Sequence, residues 1–173
     1  YYLTASNGKG HGIHSPFVFD FVKNVLNDKH SYPAYQPIES LRKKLLADST
    51  VIEVEDFGAG SSVIKTNKRE VSDIAASSLK PKKYAQLLFR MVQYYKPETI
   101  IELGTSFGIT TAYLASANAA SKVFTCEGSA AIADERSICA SACSEMQAAR
   151  AAISGESSAA SEEKSRAPVL SLS

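Results

Sequence analysis

Apolar and polar positions alternate in two rhythms along this chain, and the rhythm changes several times. In "SPFVFDFVKNVLND", Phe17, Phe21 and Val25 recur at helical spacing, with Val18 and Val22 widening the stripe. Ser15 followed by Pro16 suits a helix start, with serine as N-cap and proline at the first helical position. The pattern predicts a helix from Ser15 to about Asp28 that buries Phe17 and Phe21. "SYPAYQP" reads as a loop. "IESLRKKLLAD" reads as a second helix, with Ile38, Leu41, Leu45 and Leu46 on one side. "VIEVEDFG" alternates with period two and predicts a strand, and "NKREVSDIAASSL" reads as helical.

The pattern is clearest in the middle of the chain. Pro81 opens the helix "PKKYAQLLFRMVQYY", which stops before Pro97. A strand is predicted at about 99–103, a loop at 104–107, a helix from about 108 to 117, and another strand in "SKVFTCEG". Strand, helix and strand with short connections predict a right-handed βαβ unit and a parallel sheet. After Glu127 the rhythm is lost. About half of residues 128–173 are Ala or Ser, every Tyr and Phe lies at or before Phe124, and all three cysteines lie at or after Cys126. Such a segment does not supply the continuous apolar strands of a parallel sheet. The expected fold class is therefore α/β: a Rossmann-like parallel sheet with an N-terminal helical extension and an incomplete C-terminal half. The expected organisation is a helical and hairpin extension over 1–80, a ligand-binding core over 81–135 and an Ala/Ser-rich tail over 136–173.

Bulk properties narrow the function classes. The chain has 173 residues, 45% of them hydrophobic and 21% charged, with a formal net charge of +1. That balance gives no concentrated basic face for nucleic acid or a membrane surface. No apolar run reaches the roughly 18 residues of a membrane span. There is no signal segment at the start, and the chain begins at Tyr1 without a methionine. Cys126, Cys139 and Cys143 fit neither an even disulfide framework nor a zinc pattern, so free thiols in a cytoplasmic setting are expected.

Two glycine loops compete as ligand sites. In "IIELGTSFGITT", Gly104 and Gly108 remove side chains where backbone must approach a ligand, and the next helix offers free N–H groups at the same place. Glu102 ends the strand on the side where open α/β sheets bind ligands. A carboxylate there disfavours a pyrophosphate and suits a ligand with a positive group or hydroxyls. Glu127 ends the next predicted strand, roughly 20 residues on, where an acid accepts from both hydroxyls of a ribose. These features describe an adenosine-type ligand with an amino-acid-like cationic part, and S-adenosylmethionine is the candidate. In "VEDFGAGSSVIKT", Asp56, Gly58 and Gly60 also follow a strand, but no helix starts at once and no glycine precedes Lys65 as a P-loop requires. A turn or hairpin arm is the simpler reading; a flap placing Asp56 or Ser61 near the ligand is the functional one.

"IIELGTSFGITTAYLA" followed by "KVFTCEG" resembles motif I and the acidic strand after it in class I S-adenosylmethionine-dependent methyltransferases. The helix "KPKKYAQLLFRMVQYY" is similar to the approach helix of the catechol O-methyltransferase-like group, and "GHGIHSPFVFDFV" and "EDFGAGSS" resemble the N-terminal part of bacterial methyltransferases of this kind. The resemblance covers about residues 8–135, with the chain departing from the family pattern, as if truncated or altered, after that. It implies a cofactor site built from Glu102, Gly104, Thr105, Ser106, Gly108, Glu127 and Gly128. It also implies S-adenosylmethionine as cofactor and a small-molecule acceptor methylated on oxygen, with a homodimer left open. No metal ligand and no catalytic residue is assigned. The alternatives are a nicotinamide-dependent Rossmann oxidoreductase and a truncated, non-catalytic remnant of the methyltransferase fold.

Other residues invite simpler explanations. His11 and His14 have no nearby acid or cysteine to complete a metal site, and His30 stands alone. Lys80, Lys82 and Lys83 form a solvated cluster or contact an acidic substrate. Tyr84, Tyr94 and Tyr95 read as core or rim aromatics, and Cys139 and Cys143 as incidental.

Overall fold

A computed structural model describes residues 15–54 and 68–133. The histidines at 11 and 14, the loop of Asp56, Gly58, Gly60 and Ser61, and Cys139 and Cys143 lie outside the described residues. Among the described residues the fold mixes helices with two small sheets, one antiparallel pair and one parallel pair, and is α/β in that coarse sense.

Helix α1 runs Pro16–Phe21, and the Ser15 hydroxyl accepts from the Val18 N–H. It passes into a π-helical turn, Val22–Leu26, closed by the Asn27 N–H donating to the Val22 carbonyl. The expected burial of Phe17 and Phe21 is not found: Phe17 is 65% exposed and Phe21 only half-buried, whereas Val22 and Val25 are buried. The wider π turn, bonded i to i+5, breaks the 3.6-residue stripe between positions 21 and 25 and turns the two valines inward instead. Phe17 stacks on the Tyr95 ring at 5.8 Å. The turn is tied down by Arg90 Nε donating to the Val25 carbonyl and by the Tyr94 hydroxyl donating to Asp20.

Helix α2, Tyr35–Leu46, starts three residues before the expected Ile38. Pro37 falls in its first turn, where the N–H groups have no helical acceptor, so proline loses no bond there. Tyr35, Ile38, Leu41 and Leu45 are buried, and Leu46, assigned to the same side from sequence, is 46% exposed. Strands β1 (Val51–Glu53) and β2 (Lys68–Glu70) pair antiparallel, with Glu53 opposite Lys68. Lys68–Glu70 is thus strand rather than helix, and α3 begins only at Val71 and ends at Ser78. Opposite charges across the ladder favour the paired form of this polar tripeptide.

Helix α4, Lys82–Tyr95, buries Ala85, Phe89 and Val92 at intervals of four and three. It ends at Lys96, which is left-handed at φ 48°, just before Pro97. The sequence then folds as the pattern predicts: β3 is Thr99–Leu103, α5 is Ile109–Ala117 and β4 is Lys122–Cys126. The two strands are adjacent and parallel, with Thr99 opposite Lys122 and Leu103 opposite Cys126. A last short helix, α6, spans Ala130–Ala133.

One cluster of buried apolar side chains draws on α2, α3, α4 and α5, from both sides of residue 80. At its centre Phe89 meets the rings of Tyr32, Tyr35 and Tyr113 at 4.9, 5.1 and 6.4 Å. Burial, with the Asp28 carboxylate beside it, pushes the Tyr32 phenol up to about 12. Burial, with Glu39 beside it, raises the Tyr113 phenol well above its ordinary value. Among the described residues no helix is long and apolar enough to cross a membrane.

The parallel pair packs only one face on this core. Ile100 and Val123 pack against it, while Ile101, Leu103 and Phe124 are 71%, 82% and 56% exposed. Parallel sheets ordinarily cover both faces. Because Leu103 is solvated, Leu103→Thr should shift the unfolding free energy by no more than about 0.5 kcal/mol in urea titrations. A loss above about 2 kcal/mol would mean that this face is buried in solution.

Candidate functional site

The site grows from the junction of β3 and α5. Three residues between them are left-handed: Gly104 at φ 85°, Ser106 at φ 48° and Gly108 at φ 72°. Glycine takes such angles without a Cβ penalty, but Ser106 does not, and its strain must be held by its surroundings. The holding contacts are visible. The Ser106 N–H donates to Glu127 Oε2 at 2.7 Å, and the hydroxyls of Ser106 and Ser78 lie 2.8 Å apart. The N–H groups of Gly104 and Thr105 both donate to the Cys126 carbonyl, at 2.8 and 3.2 Å. The loop is therefore stitched to the end of β4 along its whole approach. Gly108 caps α5, its N–H donating to Thr105 and its carbonyl accepting from Ala112.

The two acids stand at the carboxyl ends of neighbouring parallel strands. Glu102 is half-buried and accepts on Oε2 from the hydroxyls of Thr111, in the first turn of α5, and Thr125, its partner in the ladder. Thr125 also pairs with the Thr105 hydroxyl. Glu127 accepts from Ser106 on one oxygen and from the Ser129 N–H on the other, at 3.0 Å. Each carboxylate oxygen has two lone pairs, so Glu127 keeps acceptor capacity on both.

A cavity of about 350 Å³ opens along β3, lined by Glu102 and Gly104 with Lys80, Ser78, Thr110 and Leu114 among its other walls. Thr105, Ser106, Gly108, Glu127 and Gly128 do not line it. Thr105 and Ser106 are instead bonded to the end of β4, through the Cys126 carbonyl and the Glu127 carboxylate. A Cβ placed on Gly104 or Gly128 would meet no atom within 4 Å, so both backbones face open space.

Sequence reading missed Ser78, Thr111 and Thr125. Thr125 follows from the observed register, which sets it opposite Glu102, whereas aligning the two acids as strand ends would have set Glu127 there. Ser78 was not recoverable, since nothing local links residues 78 and 106. Of the lysine cluster, Lys80 reaches this cavity, while the Lys83 ammonium sits 4.7 Å over the Tyr84 ring. Tyr84, Tyr94 and Tyr95 are rim residues, 49%, 42% and 39% exposed. His30 bonds Asp28 in its loop. Among the described residues no three His, Cys, Asp or Glu side chains gather where they could hold a metal ion. Comparison of the chain with family models, with curated proteins and with solved structures returned no match.

Proposed function

We propose that this chain is a Rossmann-like, S-adenosylmethionine-dependent methyltransferase acting on a small-molecule acceptor, with oxygen as the methylated atom. One observation carries the reading: Glu102 and Glu127 end adjacent parallel strands on either side of a left-handed loop that opens α5. Open α/β sheets bind ligands at that place.

The residues present suit the cofactor. Open space above Gly104 admits a ligand against the backbone, and Glu102 spends only Oε2 on its threonines. A negative oxygen beside the loop attracts an ammonium or sulfonium centre and would repel a pyrophosphate. Glu127, oriented by the amides of Ser106 and Ser129, would accept from ribose hydroxyls with its remaining lone pairs. When bound, the cofactor supplies an electrophilic methyl group for in-line transfer. What the chain contributes is alignment: Glu102, Gly104 and the first turn of α5 fix one end of the ligand, and Glu127 and Gly128 the other. Thr105 and Ser106 hold the loop in shape. A cytoplasmic setting goes with this reading.

A second reading, a cofactor-binding remnant without catalysis, is favoured by the exposed Ile101, Leu103 and Phe124 on one face of the parallel pair. Thermal unfolding with S-adenosylhomocysteine or NAD at about 1 mM separates the cofactor classes. A ligand at 100 times its dissociation constant stabilises by about 2.7 kcal/mol. The proposal expects the melting temperature to rise with S-adenosylhomocysteine and not with NAD; the reverse would assign a nicotinamide enzyme. Transfer of labelled methyl groups to a panel of phenolic acceptors then distinguishes enzyme from remnant.

A further inference from the structure

We propose a second ligand site, for a small anion bearing phosphate groups, in the cavity between α2 and the first turn of α4. This cavity is about 540 Å³ and shares no lining residue with the one beside Glu102. Three lysines from three separate elements line it: Lys29 from the 27–34 loop, Lys43 from α2 and Lys82 from α4. None of them makes a salt bridge among the described residues. Gln36 on α2 adds a neutral donor, and Gln86 on α4, whose amide bonds the Tyr113 hydroxyl, also lines the cavity.

Two acids, Glu39 and Asp28, stand nearby. Glu39, which lines the cavity, accepts from Arg42 Nε at 3.1 Å and from the Tyr113 hydroxyl at 2.8 Å, and is neutralised by the arginine. Asp28 accepts from the Tyr32 hydroxyl at 2.6 Å and from the His30 N–H at 2.9 Å. Burial opposes its ionisation, but those bonds outweigh it and hold its carboxyl below the ordinary range. Glu39 is thus paired with Arg42, whereas Asp28 keeps its negative charge but does not line the cavity.

Lys82 is the first residue of α4, a fourteen-residue helix with no acid in its first turn. The start of a helix is positive, and a lysine there costs stability rather than adding it. Three lysines on the walls of one cavity, one of them at a helix N-terminus, form a concave positive site that a multiply charged anion would relieve. Lysine holds phosphate as a point charge, without needing the fixed fork of arginine. The site is independent of the methyltransferase reading, since the two cavities share no lining residue.

The test is calorimetric titration of the whole chain with inorganic pyrophosphate at low salt. The comparison is with the triple variant Lys29→Gln, Lys43→Gln, Lys82→Gln and with an equal-charge control, Lys23→Gln, Lys96→Gln, Lys122→Gln. We expect saturable binding below about 1 mM for the unaltered chain, at least a tenfold loss in the triple variant and less than about threefold in the control. Single Lys82→Gln should lose about threefold or more, which keeps the test valid if the triple variant misfolds. Absence of saturable binding at about 10 mM, or equal losses in triple variant and control, would overturn the proposal.

Discussion

Phe89→Ala should lower the unfolding free energy by about 3–5 kcal/mol, the largest effect expected of any single substitution in this chain. Phe89 is fully buried and is the ring that Tyr32, Tyr35 and Tyr113 all face. Its removal leaves a cavity bounded by three rings that cannot all move inward. Each has its own constraint: the Tyr32 hydroxyl is bonded to Asp28, the Tyr113 hydroxyl to Glu39, and Tyr35 opens α2. The transfer loss is therefore joined by a cavity term that relaxation does not remove. Tyr113→Phe tests the other half of the cluster. It deletes the hydroxyl that donates to Glu39, which Arg42 still pairs, and that accepts from the Gln86 amide, so it should cost about 1.5–3 kcal/mol. Equilibrium denaturation of both variants checks the order. A smaller loss in Phe89→Ala than in Tyr113→Phe would show that the cluster is not the centre of the core.

Glu127→Ala should weaken S-adenosylhomocysteine binding by about ten- to a hundredfold. Hydrogen bonds to a charged group contribute about 1.5–3 kcal/mol, and about 1.4 kcal/mol is a factor of ten. The same carboxylate holds the Ser106 N–H and so keeps a left-handed serine in place. Glu127→Ala should thus also destabilise the loop, and the two effects can be separated. Adding Ser106→Gly relieves the backbone strain, so the double variant should recover stability without recovering affinity. Recovery of both would mean that Glu127 shapes the loop and does not touch the ligand. Gly104→Val should act differently again: a side chain at φ 85° is strained and fills the open space where the ligand approaches.

The βαβ unit was legible because three signals agreed within thirty residues. These are a β-branched run ending in an acid, two glycines at positions that turn out left-handed, and a second apolar run ending in an acid. The N-terminal region was less legible. There the apolar residues do follow helical spacing, but a single π turn after Phe21 changes which of them face inward. Lys68–Glu70 was misread for the opposite reason: three charged residues carry no strand signal of their own and become a strand only through pairing with Val51–Glu53. Within the site, Glu102, Gly104, Gly108 and Glu127 were readable from the local pattern. Thr125 meets Glu102 through the strand register, Thr111 through the phase of α5, and Ser78 meets the loop through the packing of α3; none of these is read from the local pattern.

The central claim, that the two acids and the left-handed loop form the cofactor half of a methyltransferase, is tested most directly by isothermal titration with S-adenosylhomocysteine. The unaltered protein should bind saturably, with one ligand per chain, and Glu127→Ala should shift the curve by at least about tenfold. No heat of binding at millimolar ligand, or an affinity that Glu127→Ala leaves unchanged, would contradict it.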